Sequence, residues 1–342
     1  MAREKLFERS SNFTLTDPQS LLRWAQWLRG KSLRDSLNDL QPSSRRIALE
    51  AAERFAKAEI RADGSFKGPK GILGVLTEII HFGLAPDNIA AADLKEAGLE
   101  LKVTGLVKNS KGVRAKERLS LGMIDYRKCL EKGSSFEDDL EIQKSLNGLL
   151  LMTYWYKARE TNPLDLVFHD SIIWKPLGQE RMRIKKDWAF IRGCIQSGHA
   201  HMLSERYAYA LGAPPKGAGK DTDFQAQPVR QPIGYPETAK HFVSMGVEEE
   251  QADYAAMDFK ERSKRPGQSI KGYVLPKDPA LAKRLGPYPA RRRCYSLTNS
   301  YLTKLVRANI TKDECPKCIR DGLQQKRGEI SQSIHSNRGN IK

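Results

Sequence analysis

The chain has 342 residues, 39% of them hydrophobic and 8% aromatic, enough to bury one large core or two ordinary ones and too much for wholesale disorder. It carries 58 lysines and arginines against 41 acidic residues, a formal net charge of +17, and such an excess favours polyanions, above all nucleic acid, through counterion release from phosphates. No run of roughly 18 apolar residues signals a membrane span, and the opening MAREKLFERSSNF lacks the apolar stretch of a secretory leader, so a cytoplasmic protein is expected.

Asp17 can cap a helix with Pro18 at its first position, and Gly30 interrupts the run, so residues 17–40 read as one helix or a pair. Residues 44–59 form a second helical stretch. In FKGPKGILGVLTEIIHFGL the apolar residues at 72, 73, 75, 76, 79, 80 and 82 follow a helical period. Glu78 falls at the margin of that apolar arc, one turn after Gly74. A carboxylate there either snorkels to water or points into a cleft over the glycine, and periodicity does not choose.

NIAAADL reads as extended, and GLELKVTGLV alternates cleanly for a strand. RLSLGMIDY, LLLMTYWY and DLVFHDSIIW supply three more strands, LLLMTYWY being apolar enough for a central position. KKDWAFIRGCIQSGHAHML is helical, and RYAYALGA returns to strand. This order predicts an α/β domain with a mixed sheet. From PPKGAGKD to PARRRC, proline, glycine, glutamine and charge dominate, with one short helical stretch around EEEQADYAAMDFKER; this is either a surface excursion or a small lobe. The tail after residue 307 is polar and basic, and its last dozen residues read as disordered.

Five cysteines make no disulfide framework in a chain of this length, and Cys129 and Cys194 sit in apolar settings as buried thiols. CPKC (Cys315, Cys318) has zinc-knuckle spacing but lacks a second pair; Cys294 and His335 could complete a tetrahedron, yet two unpaired tail thiols is the better reading. His199 and His201, two apart on a helix, point away from each other and read as ordinary polar residues.

The stretch DLKEAGLELK carries the chemistry. Strand alternation projects Glu100 and Lys102 to one side, with Thr104 beyond, while Leu99, Leu101 and Val103 face the core. KEAG can turn the chain so that the Asp93 carboxylate returns beside Glu100. One explanation is a solvated strand edge bearing a surface ion pair, worth under about 1 kcal/mol. The other is a metal site: two carboxylates and a backbone carbonyl can hold Mg²⁺ at about 2.1 Å, leaving positions for water and a phosphate oxygen. Lys102 then stands where it can orient the attacking water or stabilise charge on phosphorus. The RRR run at 291–293, including Arg292 and Arg293, suits phosphates better than bases.

KGILGVLTEIIHFG followed by DLKEAGLELKVTGL resembles the signature of the MutH-like DNA endonucleases, a family within the PD-(D/E)xK superfamily that includes a mismatch-repair nickase and GATC-cutting restriction enzymes. AKERLSLGMIDY is similar to the restriction branch. DPQSLLRWAQWLRGKSLRDS, KDWAFIRGCIQSGHAHMLSERYAYALGAPPKGA and RRRCYSLTNSYLTKLV continue the likeness from about Asp17 to Val306. The resemblance implies a restriction-endonuclease-like α/β core, its mixed central sheet flanked by helices, and two lobes forming a DNA cleft. Residues 1–160 would be the catalytic lobe, 161–306 a recognition lobe with an insertion at about 220–290, and 307–342 a basic tail.

Carried over, Asp93 and Glu100 become metal ligands and Lys102 the catalytic lysine. Glu78 matches an additional acidic position that also reaches the metal. Lys70 and Lys144 match further active-site lysines. Lys216, in the PPKGAG loop, and Tyr295 stand where the family approaches DNA. Three departures fall in the recognition half: Pro214 in place of a base-reading arginine, Thr298 in place of a lysine, and many more residues before RRRCYSL. The implied function is a Mg²⁺-dependent type II restriction endonuclease acting on double-stranded DNA at a GATC-like or derived site. Its setting would be a bacterial or archaeal cell, its genetic partner a cognate DNA methyltransferase, with transient homodimers on DNA. A strand-nicking repair endonuclease dependent on a partner ATPase, or a non-catalytic DNA-binding protein of the same fold, are the alternatives.

Overall fold

Parallel pairing decides how the chain is divided. In this computed structural model, which describes residues 4–9, 13–69, 71–86, 91–110, 112–130, 133, 135–157, 162–196, 203, 205, 208–216, 224–227, 273–276 and 293–309, two compact units interleave in sequence. One comprises Met1–Glu117, Gln143–Pro176 and Leu302–Lys342; the other comprises Arg118–Ile142 and Leu177–Tyr301. These units interleave in sequence, whereas the expected lobes, 1–160 and 161–306 with a tail at 307–342, are consecutive. A parallel partner cannot be reached by a tight turn, so the chain leaves the first unit and returns to place residues 149–155 beside 100–106.

The first unit opens with helices α1 (Pro18–Gln26), α2 (Leu33–Asn38) and α3 (Pro42–Ala56). Asp17 caps α1 by accepting from the Gln19 amide at 2.9 Å. Ser32 and Asp35 form a capping box on α2. Between them Gly30 adopts φ +73°, and its amide donates to Phe168 O, while Phe168 N donates to Lys31 O. The glycine therefore breaks the helix where the chain must bond a strand edge. Small β-strands β1 (Glu59–Ile60) and β2 (Phe66–Lys67) form an antiparallel pair. Helix α4 (Ile72–Leu76) then widens into a π turn, Thr77–His81.

The central sheet has the order β4-β3-β6-β7, from β3 (Glu100–Asn109), β4 (Gly112–Ala115), β6 (Leu149–Trp155) and β7 (Phe168–Trp174). β3 and β6 are parallel, and the other two pairings are antiparallel. This is the mixed, helix-flanked α/β arrangement expected from the element order. One sheet face gives Leu99, Leu101, Leu150, Met152 and Ile173 to a core shared with Leu21, Trp24 and Leu28 of the helical layer and Leu76, Ile79 and Ile80 of α4 and its π turn. Helix α8 (Asn299–Ala308) sends Val306 against Leu106 and Val113.

The second unit holds a three-stranded antiparallel sheet, β5-β11-β8, from β5 (Leu119–Met123), β8 (Leu211–Gly212) and β11 (Cys294–Leu297). It also holds α5 (Tyr126–Leu130) and the 19-residue helix α7 (Gly178–Gln196), while α6 (Leu140–Leu146) starts in this unit and passes into the first at Gln143. A separate ladder pairs β9 (Phe224–Gln227) with β10 (Tyr273–Pro276) inside the region read as an insertion. Cys129, Cys194 and Cys294 are buried thiols outside any disulfide, whereas Cys315, Cys318, His335, His199 and His201 lie outside the described residues. Among the described residues no helix is long and apolar enough to cross a membrane.

Gly148, at the mouth of β6, sets how closely β3 can start. Its carbonyl accepts from the Glu100 amide at 2.9 Å, and a β-carbon built on it would come within 2.7 Å of Leu99 Cδ2 and 3.1 Å of Gly98 O. Gly148→Ala is expected to cost about 1–3 kcal/mol through overpacking. Urea unfolding checks this, as a lowered midpoint with an unchanged slope.

Candidate active site

Strand alternation and one tight turn assemble the site. Leu94 and Leu99 form an antiparallel bridge across the 3₁₀ turn Lys95–Ala97, which closes on Gly98 at φ +66°. The turn folds Asp93 back over the start of β3, where its Oδ2 accepts from the Leu101 amide at 3.0 Å. The ammonium of Lys102, the next residue, lies 3.9 Å from Asp93 Oδ2 and pairs closely with Glu100 Oε1.

Glu100 is only 2% exposed, so this is not a solvated edge pair. Burial pushes its carboxyl pKa up, and the nearby Asp93 adds to the rise; Lys102, and to a smaller extent Lys144, oppose it. Lys144 rides on α6 and is half-buried, and its ammonium is felt at Glu100. Glu100 Oε2 is buried without a hydrogen-bond partner. A carboxylate oxygen shielded from water and left unbonded is expensive. An ammonium between two acids with one acceptor still open is a cation-seeking arrangement, and Lys102 stands in there for part of the charge a divalent ion would bring.

Among the described residues no three His, Cys, Asp or Glu side chains gather as metal ligands. Glu78 therefore does not join Asp93 and Glu100 in a group of three. It is half-buried on the π turn, a distortion frequent near functional sites. That turn is held by a buried network. Trp24 Nε1 donates to His81 O, and His81 Nε2 lies 3.0 Å from Trp24 O. A carbonyl can only accept, so the proton is on Nε2, and Nδ1 accepts from Ser36 Oγ at 3.0 Å. Ser36 Oγ in turn accepts from Arg9 Nη2, which also donates to Ile80 O. Burial first, then the Arg9 charge, pulls the His81 pKa down to about 3.

Residues 82–187 match the family model described as DNA mismatch repair enzyme MutH. This stretch of the chain is MutH-like. The chain is also 30% identical over 175 residues to the type II restriction enzyme Sau3AI of Staphylococcus aureus, an alignment covering 49% of this chain. It spans about a third (34%) of the length of that relative. The MutH-like stretch contains Asp93, Glu100, Lys102 and Lys144, the residues the fold brings together, and ends before Lys216, Arg293 and Tyr295.

Those three have different settings. Lys216 is exposed in the second unit, where its ammonium donates to Ser120 Oγ at 2.8 Å. Tyr295 is 1% exposed, its hydroxyl donating to Asp139 Oδ2 at 2.8 Å, and Arg293 is 6% exposed, its guanidinium donating to Ala213 O and Leu203 O. Tyr295 and Arg293, expected to meet DNA, are thus buried and bonded to groups inside the second unit. Arg292 and Lys70 lie outside the described residues. Sequence reasoning passed over Asp187 and Asp139; an acid inside an apolar helical pattern (DWAFI) was the one available signal for Asp187.

A carboxyl whose folded pKa is raised stabilises the fold below its unfolded pKa and loses that contribution as pH rises through the folded value. Glu100→Gln should therefore raise the thermal midpoint, and its advantage over the parent should widen from pH 5 to pH 8. Differential scanning calorimetry across that range checks it; an advantage that shrinks with pH would contradict the burial of a charged Glu100.

Proposed function

We propose that the protein is a Mg²⁺-dependent DNA endonuclease of the type II restriction kind, cutting duplex DNA at a short specific site, GATC-like or derived from it, and leaving 5′-phosphate ends. The observation that carries this is the buried Glu100 carboxylate, paired through Oε1 with Lys102, flanked by Asp93 and left open at Oε2. The MutH-like stretch around it and the resemblance to a restriction enzyme support the substrate class.

The donor set fits Mg²⁺. That ion is commonly held by one or two carboxylates plus waters and phosphate oxygens, not by an all-protein cage, and two carboxylates are what this site offers. Bound there, a divalent ion supplies Lewis-acid polarisation of the phosphate and a more acidic water. The remaining work belongs to the chain. Asp93 is held in place by the Leu101 amide, so it is preorganised. Lys102, about a quarter exposed, can turn from Glu100 towards the scissile phosphate and stabilise the charge that builds on its oxygens. In the net reaction the water oxygen bonds to phosphorus as the bond to the 3′-oxygen breaks. The departing oxygen takes up a proton, giving a 3′-hydroxyl and a 5′-phosphate.

Action on both strands of a palindrome requires two protomers meeting on DNA or successive nicks, and a methyltransferase would protect the host. Supercoiled plasmid separates this from the nickase alternative: linear product without any added protein is expected, and accumulation of open circles alone would favour a nickase.

Glu100→Ala is expected to lower cleavage by at least about 10³-fold, in the range for lost transition-state stabilisation, while gel-shift affinity for a cognate duplex measured in Ca²⁺ stays within a few-fold. Retained cutting would remove Glu100 from the chemistry. Lys102→Met should likewise stop cleavage but bind Mn²⁺ more tightly than the parent in titration calorimetry, since no internal ammonium then competes for Glu100 and Asp93. Weaker Mn²⁺ binding would refute the cation-site assignment.

A further inference from the structure

The segment 209–216 is held from two sides by buried charges that no catalytic step uses. Asp187, on α7 and 4% exposed, accepts three consecutive amides: Oδ1 from Tyr209 at 3.0 Å, Oδ2 from Ala210 at 2.7 Å and from Leu211 at 2.9 Å. Next, β8 pairs with β11, Leu211 opposite Leu297 and Gly212 opposite Ser296. Thr298 N donates to Ala210 O at 2.8 Å and Cys294 N to Pro214 O at 3.2 Å. On the other side Arg293 donates through one nitrogen to Ala213 O at 2.5 Å and to Leu203 O at 3.2 Å, and its backbone bridges Pro215. Residues 210–214 are buried, and the chain emerges only at Pro215 and Lys216.

The order of these contacts matters. An acid receives the N–H groups at the start of the segment, and a guanidinium receives a carbonyl at its end, so the backbone is fixed in register up to the residue before the surface. Gly212 leaves no slack, because a β-carbon there would stand 2.7 Å from Glu205 Cγ. Asp187 and Arg293 therefore anchor the backbone that leads to Lys216, whose ammonium is held in turn by Ser120 Oγ.

We propose that Asp187 and Arg293 are positioning residues for site selection, forming a buried brace that aims the 215–216 surface at the DNA. This rests on the nuclease reading and on Lys216 as a DNA contact. Loosening the brace widens the range of sites accepted, because a misplaced contact discriminates bases poorly, while the acids and lysine of the cation site sit in the other unit and keep their geometry.

The test uses the full chain on a duplex library randomised over the target, with sequencing of the cut ends. Separately, the sequences retained by the protein in Ca²⁺ without cleavage are selected and sequenced. Asp187→Asn leaves one acceptor oxygen for three amides and sets an NH₂ group against them. It should raise cutting at once-mismatched sites relative to the preferred site by about 10-fold or more. The shifted positions should be the same ones that Lys216→Ala shifts. Arg293→Lys, which keeps the charge but removes the guanidinium nitrogen that bonds Ala213 O and Leu203 O, should give a smaller change at those positions and guards against an unfolded Asp187→Asn protein. An unchanged site profile in both variants, or a change at positions that Lys216→Ala does not touch, would overturn the proposal. If the parent cuts no DNA, the nuclease reading fails, and the Ca²⁺ selection still decides whether the brace sets sequence preference.

Discussion

A carboxylate cannot be taken out of water without a cation or hydrogen-bond donors to replace it, and at Glu100 that replacement is partial. One oxygen meets Lys102 and the other meets nothing. The surroundings explain why the group stays where it is. Leu99 and Leu101, on either side of it along β3, are locked into the core beneath the sheet, and Gly148 takes its amide into the parallel ladder. The backbone is thus fixed by apolar burial and register, and the polar face must accept whatever side chain stands there. Stability would be better served by an apolar residue of similar volume. A costly group retained at the end of a rigid strand is the local inconsistency expected where function overrides packing.

Much of this was legible because it is local. Alternation alone put Glu100 and Lys102 on one side of β3, and Gly30 and Gly98 marked breaks that both occupy left-handed conformations. The strands at 100–109, 119–123, 149–155 and 168–174 follow from period-two patterns and β-branched or aromatic content. What was not legible depends on distant partners. The hairpin strand β4 is four residues long and has no pattern of its own. α5 and α6 are short helices whose stability comes from packing, not propensity. Arg293 looked like the end of a basic run meant for phosphates. Its place just before β11, opposite Ala213 and Leu203, turns it inward, and nothing within RRR distinguishes it from its neighbours. Tyr295 shows the same thing: a tyrosine in a strand can face either way, and Asp139, far off in sequence, decides it.

The two halves of an endonuclease's task place different demands on a chain. Hydrolysis needs a few groups within a few ångströms, which one strand and one turn supply. Site selection needs a surface held against a duplex over many base pairs, and on the proposed reading it would draw on α7, β8 and β11, elements far apart in sequence. The family match covers 82–187, taking in the cation-site candidates and α7 as far as Asp187, and stops short of the 209–216 segment.

Two buried carboxylates make the distinction concrete. Burial raises the pKa of Asp187, to about 6, and of Glu100 as well, so the direction of the shift does not separate them. Their hydrogen bonds do. Asp187 is closed: three backbone amides converge on it and each of its oxygens has a donor, so its work is finished when the chain folds. Glu100 is open, with an ammonium on one oxygen, a second acid nearby and no donor on the other oxygen. A closed acid holds backbone in place; an open one still has an acceptor to offer. Perturbed acids mark functional sites only in probability, and the inventory of donors around each oxygen is what tells the catalytic candidate from the architectural one.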